Sequence, residues 1–363
     1  MKKINRRHFV KGAMSFGLAS GYVDAVSVLS SRKVHAADSP PIFKLTVAPV
    51  GPQNPRNSEA AIVPLNDGSL LLGWTEFYAG SSEDHGPARI SGRVSHDGGK
   101  TWSSQRTLVE NDGGCNVMEV NFLRLKKDRI ALFYCQKNTP ETDCRVRMRV
   151  SDDEGITWSA AKQLSPDGKY TALTNGRSLR LKSGRVLLET YEGGTSYCCI
   201  TDDDGQTWRD SQRIKPAGGD CWEPACIELK DGRVMMLMRT ELGGQFQSLS
   251  KDSGETWSAP EPTALKGTAA PVSISRIPTT DDLLAVWNHN PGAGSRNPLT
   301  AAISRDDGES WGQFRNIEDS PNDAWAYPAV TWVKDQALVT YFNYSGGLSL
   351  QLKIIPANWF YGS

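Results

Sequence analysis

The chain has 363 residues, equal numbers of acidic and basic side chains, 38% hydrophobic residues and 34 glycines. That length holds one large domain or two ordinary ones. The charge balance offers nothing to nucleic acid or to an anionic membrane surface. The glycine-rich composition suits a turn-rich globular protein and excludes a bundle of membrane helices.

The first segment is not part of a fold. Arg6 and Arg7 stand ahead of a mildly apolar stretch from Gly12 to Leu29, and Val34 and Ala36 have the spacing of a small-residue cleavage site. This is the pattern of a twin-arginine export signal over residues 1–36, cut after Ala36. Asp24 and the many small residues argue against a spanning helix, which needs about 20 strongly apolar residues. The expected location is therefore periplasmic or secreted, with no membrane span. Cysteines follow at 115, 135, 144, 198, 199, 221 and 226. No C-x-x-C pair occurs, so no zinc site is expected, and neither a metal nor another cofactor is called for. Cys221 and Cys226 stand too far apart to bridge if the chain between them is extended. Buried thiols are expected, with one disulfide elsewhere as the alternative.

From residue 42 to 360 two short patterns alternate. The first is a hairpin: "LNDGSLLLGW" from 65, "LKKDRIALFY" from 125, "LKSGRVLLET" from 181, "LKDGRVMMLM" from 229, a degenerate "PTTDDLLAVW" from 278 and "VKDQALVTYF" from 333. Each reads as strand, tight turn, strand. The second is a box that follows a third strand: "SHDGGKTW" at 95, "SDDEGITW" at 151, "TDDDGQTW" at 201, "SKDSGETW" at 250 and "SRDDGESW" at 304. In each box the Asp can bind its own turn backbone, the Gly permits a positive φ, and the Trp can be buried between units. These are structural demands, and catalysis rarely needs five copies of one group. A repeat of about 50 residues with four short antiparallel strands predicts an all-β fold, a six-bladed β-propeller. The sixth hairpin has no box after it. Pairing of "IFKLTVAPV" from 42 with "LSLQLKIIP" from 348 would close the ring and hide both free edges.

The hairpin turns supply a common count. Eight residues before each turn lie Glu59, Glu119, Asn175, Glu223, Ser273 and Tyr327; eight after it lie Thr75, Cys135, Tyr191, Arg239, His289 and Asn343. Antiparallel pairing brings both sets to one face, around the channel mouth, and Arg296 joins them at the start of a third strand. The boxes fall on the opposite face. A ring of packing positions would read Val, Ile or Ala, so three Glu, an Asn, a Ser and a Tyr point to a solvated funnel or a binding site.

The five boxes of form S/T-x-D-x-G-x-S/T-W, in a chain with six hairpins, resemble the Asp-box repeats of the sialidase (neuraminidase) superfamily over about residues 45 to 360. The resemblance implies a glycoside hydrolase with a glycan substrate. Glu223 in "WEP" and Tyr327 in "AYP" resemble the family's catalytic pair, in which the Glu takes the proton of a nucleophilic Tyr. Arg239 in "LMRTE" and Arg296 in "SRNPL" resemble two members of the arginine cluster that clamps the substrate carboxylate. The family's acid/base Asp lies between the second and third strands of the first blade, where Asp84 is the candidate beside Glu83 and His85. The family's first arginine sits in an F/Y-R-I-P motif. This chain reads "NPRNSEAAIVPL" there, with Glu59 at the counted position, Arg56 as a substitute from the loop and Arg177 as a second candidate.

Three functions are compatible with these residues. The first is an exo-glycosidase acting on an acidic, sialic-acid-like sugar, with Tyr327, Glu223 and Asp84 catalytic and Arg239, Arg296, Arg56, Glu59 and His289 binding substrate. The second is a lyase on uronate polysaccharides, with Tyr327 or His289 moving the proton. The third is a glycan-binding propeller that uses the funnel acids with Trp74, Tyr191 and Trp222.

Overall fold

The computed structural model describes residues 41–292, 294–345 and 347–362; the expected export signal lies outside them. There are six antiparallel sheets among the described residues, five of them laid down in sequence order and the sixth joining both ends of the described chain. Blade one is Arg56–Pro64, Leu70–Phe77, Ala88–Ser95 and Arg106–Val109. Blade two is Asn116–Arg124, Ile130–Lys137, Cys144–Ser151 and Lys162–Gln163. Blade three opens with two fragments, Thr171–Ala172 and Leu179–Arg180, before Val186–Glu192, Thr195–Thr201 and Arg209–Asp210. Blade four is Cys221–Glu228, Val234–Thr240, Gly244–Ser250 and Glu261–Lys266. Blade five is Ser273–Arg276, Leu283–Trp287, Leu299–Ser304 and Gly312–Glu318. Blade six is Trp325–Val333, Gln336–Asn343 and Leu350–Pro356, completed by Phe43–Ala48 from the other end of the described chain. Phe43 pairs with Ile354 and Leu45 with Leu352, so the expected closure is the one found.

The apolar side chains gather at the seams between blades. One cluster joins Leu71 and Ile90 of blade one to Val120 and Leu132 of blade two, and five others repeat this around the ring. Each box serves its seam. In the first, Gly99 N–H donates to Ser95 Oγ at 2.8 Å, while Thr101 donates to Asp97 from its backbone N–H at 2.9 Å and from its hydroxyl at 2.6 Å. Thr or Ser makes the same bonds to Asp153, Asp203, Asp252 and Asp306. The box tryptophans pack against the preceding blade's cluster, as Trp158 does on Leu71 and Val63. Blade six lacks a box, and a 3₁₀ turn at Ala357–Tyr361 takes its place. Buried Phe360, with Trp359 beside it, packs with Leu284, Val286 and Val339 in the seam between blades five and six.

The cysteines are all free thiols and six are buried; Cys198 and Cys226 bring their sulfurs to 3.7 Å across blades three and four. Among the described residues no helix is long and apolar enough to cross a membrane.

The innermost strands carry the feature that positions the site. In blades one, two, four and six the pairing slips by a bulge, between Ser58 and Ala61, Met118 and Asn121, Trp222 and Ala225, and Ala326 and Ala329. A bulge re-aims one side chain. In each, one residue has a left-handed backbone: Glu59 (φ 45°), Glu119 (64°), Glu223 (49°) and Tyr327 (54°). Left-handed backbone at four matching non-glycine positions is strain that the ring as a whole sustains. The count from the hairpins fails in the other two blades. Blade three pairs Ala172 with Tyr191 but Leu179 with Leu187, a longer break, and Gly176 takes the positive φ instead of Asn175. Blade five pairs Ser273 with Val286 without a bulge.

Candidate active site

Three polar side chains from two blades form a chain. The bulges turn Glu223 of blade four and Tyr327 of blade six toward each other, and the Tyr327 hydroxyl donates to Glu223 Oε1 at 2.8 Å. Arg239 is the cross-strand neighbour of Trp222, so it stands beside Glu223 and donates from Nη1 to Oε2 at 2.8 Å. Both carboxylate oxygens are thus engaged, one by a proton that can move and one by a fixed cation. Arg296 lies over the Tyr327 ring at 5.3 Å and reaches the Tyr344 hydroxyl at 3.3 Å. Its backbone carbonyl is pinned by the Asn288 amide and the Trp325 N–H. Burial and then the Glu223 carboxylate push the Tyr327 phenol well above its usual value, against the pull of Arg296 and Arg239. At neutral pH Tyr327 is therefore a phenol whose hydrogen-bonded base is Glu223.

A second cluster faces the first. Arg56 opens the first strand of blade one and pairs with Phe77; it belongs to the strand and not to the loop before it, a correction of the sequence-based expectation. Its guanidinium is nearly filled. Nη1 meets Asp84 Oδ1 at 2.5 Å, Nη2 meets Glu59 Oε1 at 2.5 Å, Nε donates to Ser58 Oγ at 2.8 Å, and the plane lies 4.4 Å over Phe77. Glu59 is buried and supports Arg56. Asp84 leaves 70% of its side chain to solvent, on a loop held where Asn116 Nδ2 and Lys137 Nζ donate to its carbonyl at 2.9 and 3.2 Å. Although the side chain is largely open to solvent, crowding by the recess walls desolvates the Asp84 carboxyl in part and pushes it up, but Arg56, with Lys137 and Arg296 behind it, outweighs this and leaves it below its ordinary range. Arg177 is buried, donating to the carbonyls of Val272 at 3.0 and 2.6 Å and of Asn175 at 3.4 Å. It is spent on the backbone, so Arg56 is the third arginine at the mouth.

Tyr327 of the first cluster and Arg56 and Asp84 of the second line one recess, whose walls also include Glu119, Lys137 and Tyr170. It runs on past Arg56, Asp84 and Tyr327 to Arg296 and Tyr344. Two expected residues are elsewhere. His289 packs its ring on Trp287 and Phe314 and bonds the Lys266 carbonyl at 3.0 Å, outside the recess. Trp74 is fully buried and donates to Asn57, so it is core and not a binding surface. Tyr191 does line the recess, and Trp222 lies half-buried under Arg239. Lys137 and Tyr170 are polar wall residues of this recess that were not singled out in the sequence. Lys137 sits two residues beyond Cys135 on the same strand face, so extending the count by one alternation finds it. Tyr170 sits on an irregular stretch with no such signal.

Residues 60–340 match the family of the BNR repeat-like domain. The chain is 32% identical over 156 residues to Sialidase B of Streptococcus pneumoniae serotype 4, covering 40% of this chain and 21% of that protein. It is 23% identical over 355 residues to the sialidase of Micromonospora viridifaciens, covering 86% and 54%. It therefore spans about half or less of these relatives' length. Among solved structures, the leech intramolecular trans-sialidase complexed with 2,7-anhydro-Neu5Ac matches with a TM-score of 0.74 at 15% identity, over 88% of this chain and 71% of that one. The NanB sialidase of Streptococcus pneumoniae matches with 0.72 at 18%, over 86% and 70%. The fold is thus that of the sialidases. With its box turns, its six blades and a family match over most of its length, the chain belongs to the family of the BNR repeat-like domain.

Proposed function

We propose that the protein is an exported exo-glycosidase of the sialidase type that removes an acidic, sialic-acid-like sugar from the end of a glycan. The observation that carries this reading is the 2.8 Å hydrogen bond from the Tyr327 hydroxyl to Glu223, with Arg239 on the other oxygen of Glu223 and Arg56 and Arg296 lining the cleft beside Tyr327. Glu223 takes the phenolic proton as the Tyr327 oxygen attacks the anomeric carbon. Asp84 gives a proton to the departing glycosidic oxygen. Its carboxylate then takes a proton from the water that attacks the same carbon, and Tyr327 leaves and recovers its proton from Glu223. A neutral tyrosine nucleophile, with the charge of its Glu223 base offset by Arg239, spares an anionic sugar the repulsion of a bare carboxylate nucleophile, so the spacing rules for carboxylate pairs do not apply.

The arginines hold the substrate carboxylate. Arg56 has a second effect. Its Nη1 edge is occupied by Asp84, so an arriving carboxylate competes with Asp84 for it. Loosening that ion pair lets the Asp84 carboxyl rise toward a value at which it carries the proton it must give. The arginine pair near the amino terminus supports an outside location, where glycan ends are met. The test is release of a fluorophore from a sialoside. Turnover by the wild type and its loss in Tyr327→Phe are expected; undiminished turnover in that variant would exclude the assignment.

A further inference from the structure

Two buried polar groups that line the recess are short of hydrogen-bond partners among the described residues. Lys137 is 4% exposed, yet its ammonium has one hydrogen-bond acceptor among the described residues, the Asp84 carbonyl at 3.2 Å, and otherwise lies 5.4 Å from the centre of the Tyr170 ring. Glu119 is 5% exposed, and its Oε2 is buried with no hydrogen-bond partner among the described residues. Both line the same recess as Tyr327 and Asp84. A buried ammonium with idle donors and a buried carboxyl oxygen with no bond are each costly, and a ligand that satisfies both recovers that cost. Burial, with Glu59 and Glu223 nearby, pushes the Glu119 carboxyl well up, so the neutral acid is favoured there.

Direction along the cleft decides what these two groups read. Arg296 and Tyr344 line one part of the cleft, Lys137 and Glu119 line the other, and Arg56, Asp84 and Tyr327 line both and so lie between them. A sugar with its carboxylate toward Arg296 and its anomeric carbon at Tyr327 points the far edge of its ring at Lys137 and Glu119. A hydroxyl there accepts from the Lys137 ammonium and exchanges a hydrogen bond with Glu119 through one oxygen. An acylamino group splits donor and acceptor onto two atoms and adds a methyl that must displace water from the ammonium.

We infer that Lys137 and Glu119 form a polar subsite that selects an acidic sugar with a hydroxyl, rather than an acylamino group, on the ring edge remote from its carboxylate. This rests on the orientation in the reading above. The test is calorimetric titration of the full protein with free N-acetylneuraminic acid and with its counterpart bearing a hydroxyl in place of the acetamido group. The hydroxyl sugar is expected to bind about tenfold tighter. Lys137→Met and Glu119→Gln should each cut that preference below about threefold, with melting midpoints measured in parallel. Equal binding, a preference for the N-acetyl sugar, no binding of either, or variants that melt normally and keep the preference would overturn the subsite. If a variant fails to fold, the wild-type preference decides alone. Hydrolysis separates the two claims: turnover without preference overturns only the subsite, and preference without turnover overturns only the glycosidase.

Discussion

Replacing Glu223 by Gln keeps its shape and removes its basicity. The amide oxygen still accepts from Tyr327, which sits 2.8 Å from Oε1, but it cannot hold the proton. General-base catalysis contributes about 10²–10⁴-fold, so kcat should fall by that factor, about 3–5 kcal/mol of barrier. The fold is affected less. Arg239 loses its carboxylate partner, and stripping one member from a fully buried pair costs about 3–5 kcal/mol. With its oxygen toward Tyr327 the amide turns its NH2 to Arg239, donor against donor, but the Arg239 side chain is 23% exposed and water can accept from it, which holds the expected cost to about 1–3 kcal/mol. Adding Arg239→Met should return part of that stability and none of the activity. Fluorogenic turnover and denaturant midpoints on the two single variants and the double variant read both effects. A well-folded Glu223→Gln protein with more than about a tenth of wild-type kcat would refute the role of base.

Further expectations follow from other parts of the molecule. Asp84→Asn should slow release of a sugar leaving group by about 10²–10⁴-fold and of an acidic phenol by much less, since the phenol needs little protonation; equal losses would contradict an acid role. Gly176→Ala places a Cβ 2.5 Å from Ala329 Cβ at a φ of +66°, so the denaturation midpoint should drop by the equivalent of about 1–3 kcal/mol. Phe360→Ala empties the seam that no box fills and should cost about 3–5 kcal/mol, read the same way. The Asp97, Asp153 and Asp203 carboxyls are held down to about 2 by hydrogen bonds from their box threonines. A lowered folded value gives stability that is present above the ordinary value of 3.8 and is lost as pH falls toward 2, so melting temperature should fall through that window. Asp203→Ala should flatten this acid limb and leave kcat/KM within about twofold, because its box is remote from the cleft.

The frame was readable because its signals are local. A box needs only a short run of residues to form its turn, and a hairpin announces its bend, so six blades and their closure follow from short patterns. Counting from the bends then reached Glu59, Glu119, Glu223 and Tyr327, which share a bulge and a left-handed backbone. The count broke at Asn175, where blade three carries a longer interruption, and at Ser273, where blade five has no bulge. Those differences are set by packing around the channel, as in the Asn175 amide's bonds to the carbonyls of Ala60 and Tyr327, and leave no mark in the pattern of their own blade. Arg56 was visible as a residue but not as a strand position. His289 fell on the right count but lies beyond its strand's end, where the chain turns it onto Phe314.

The most direct measurement is to trap the reaction. A 2,3-difluorinated acidic sugar reacts at its anomeric carbon and slows the second step, so the sugar should remain bonded to the protein long enough for digestion and mass mapping. The expected result is one adduct on the peptide containing Tyr327, absent in Tyr327→Phe. An adduct on Glu223 or Asp84, or turnover of the sialoside with no adduct at all, would contradict a tyrosine nucleophile.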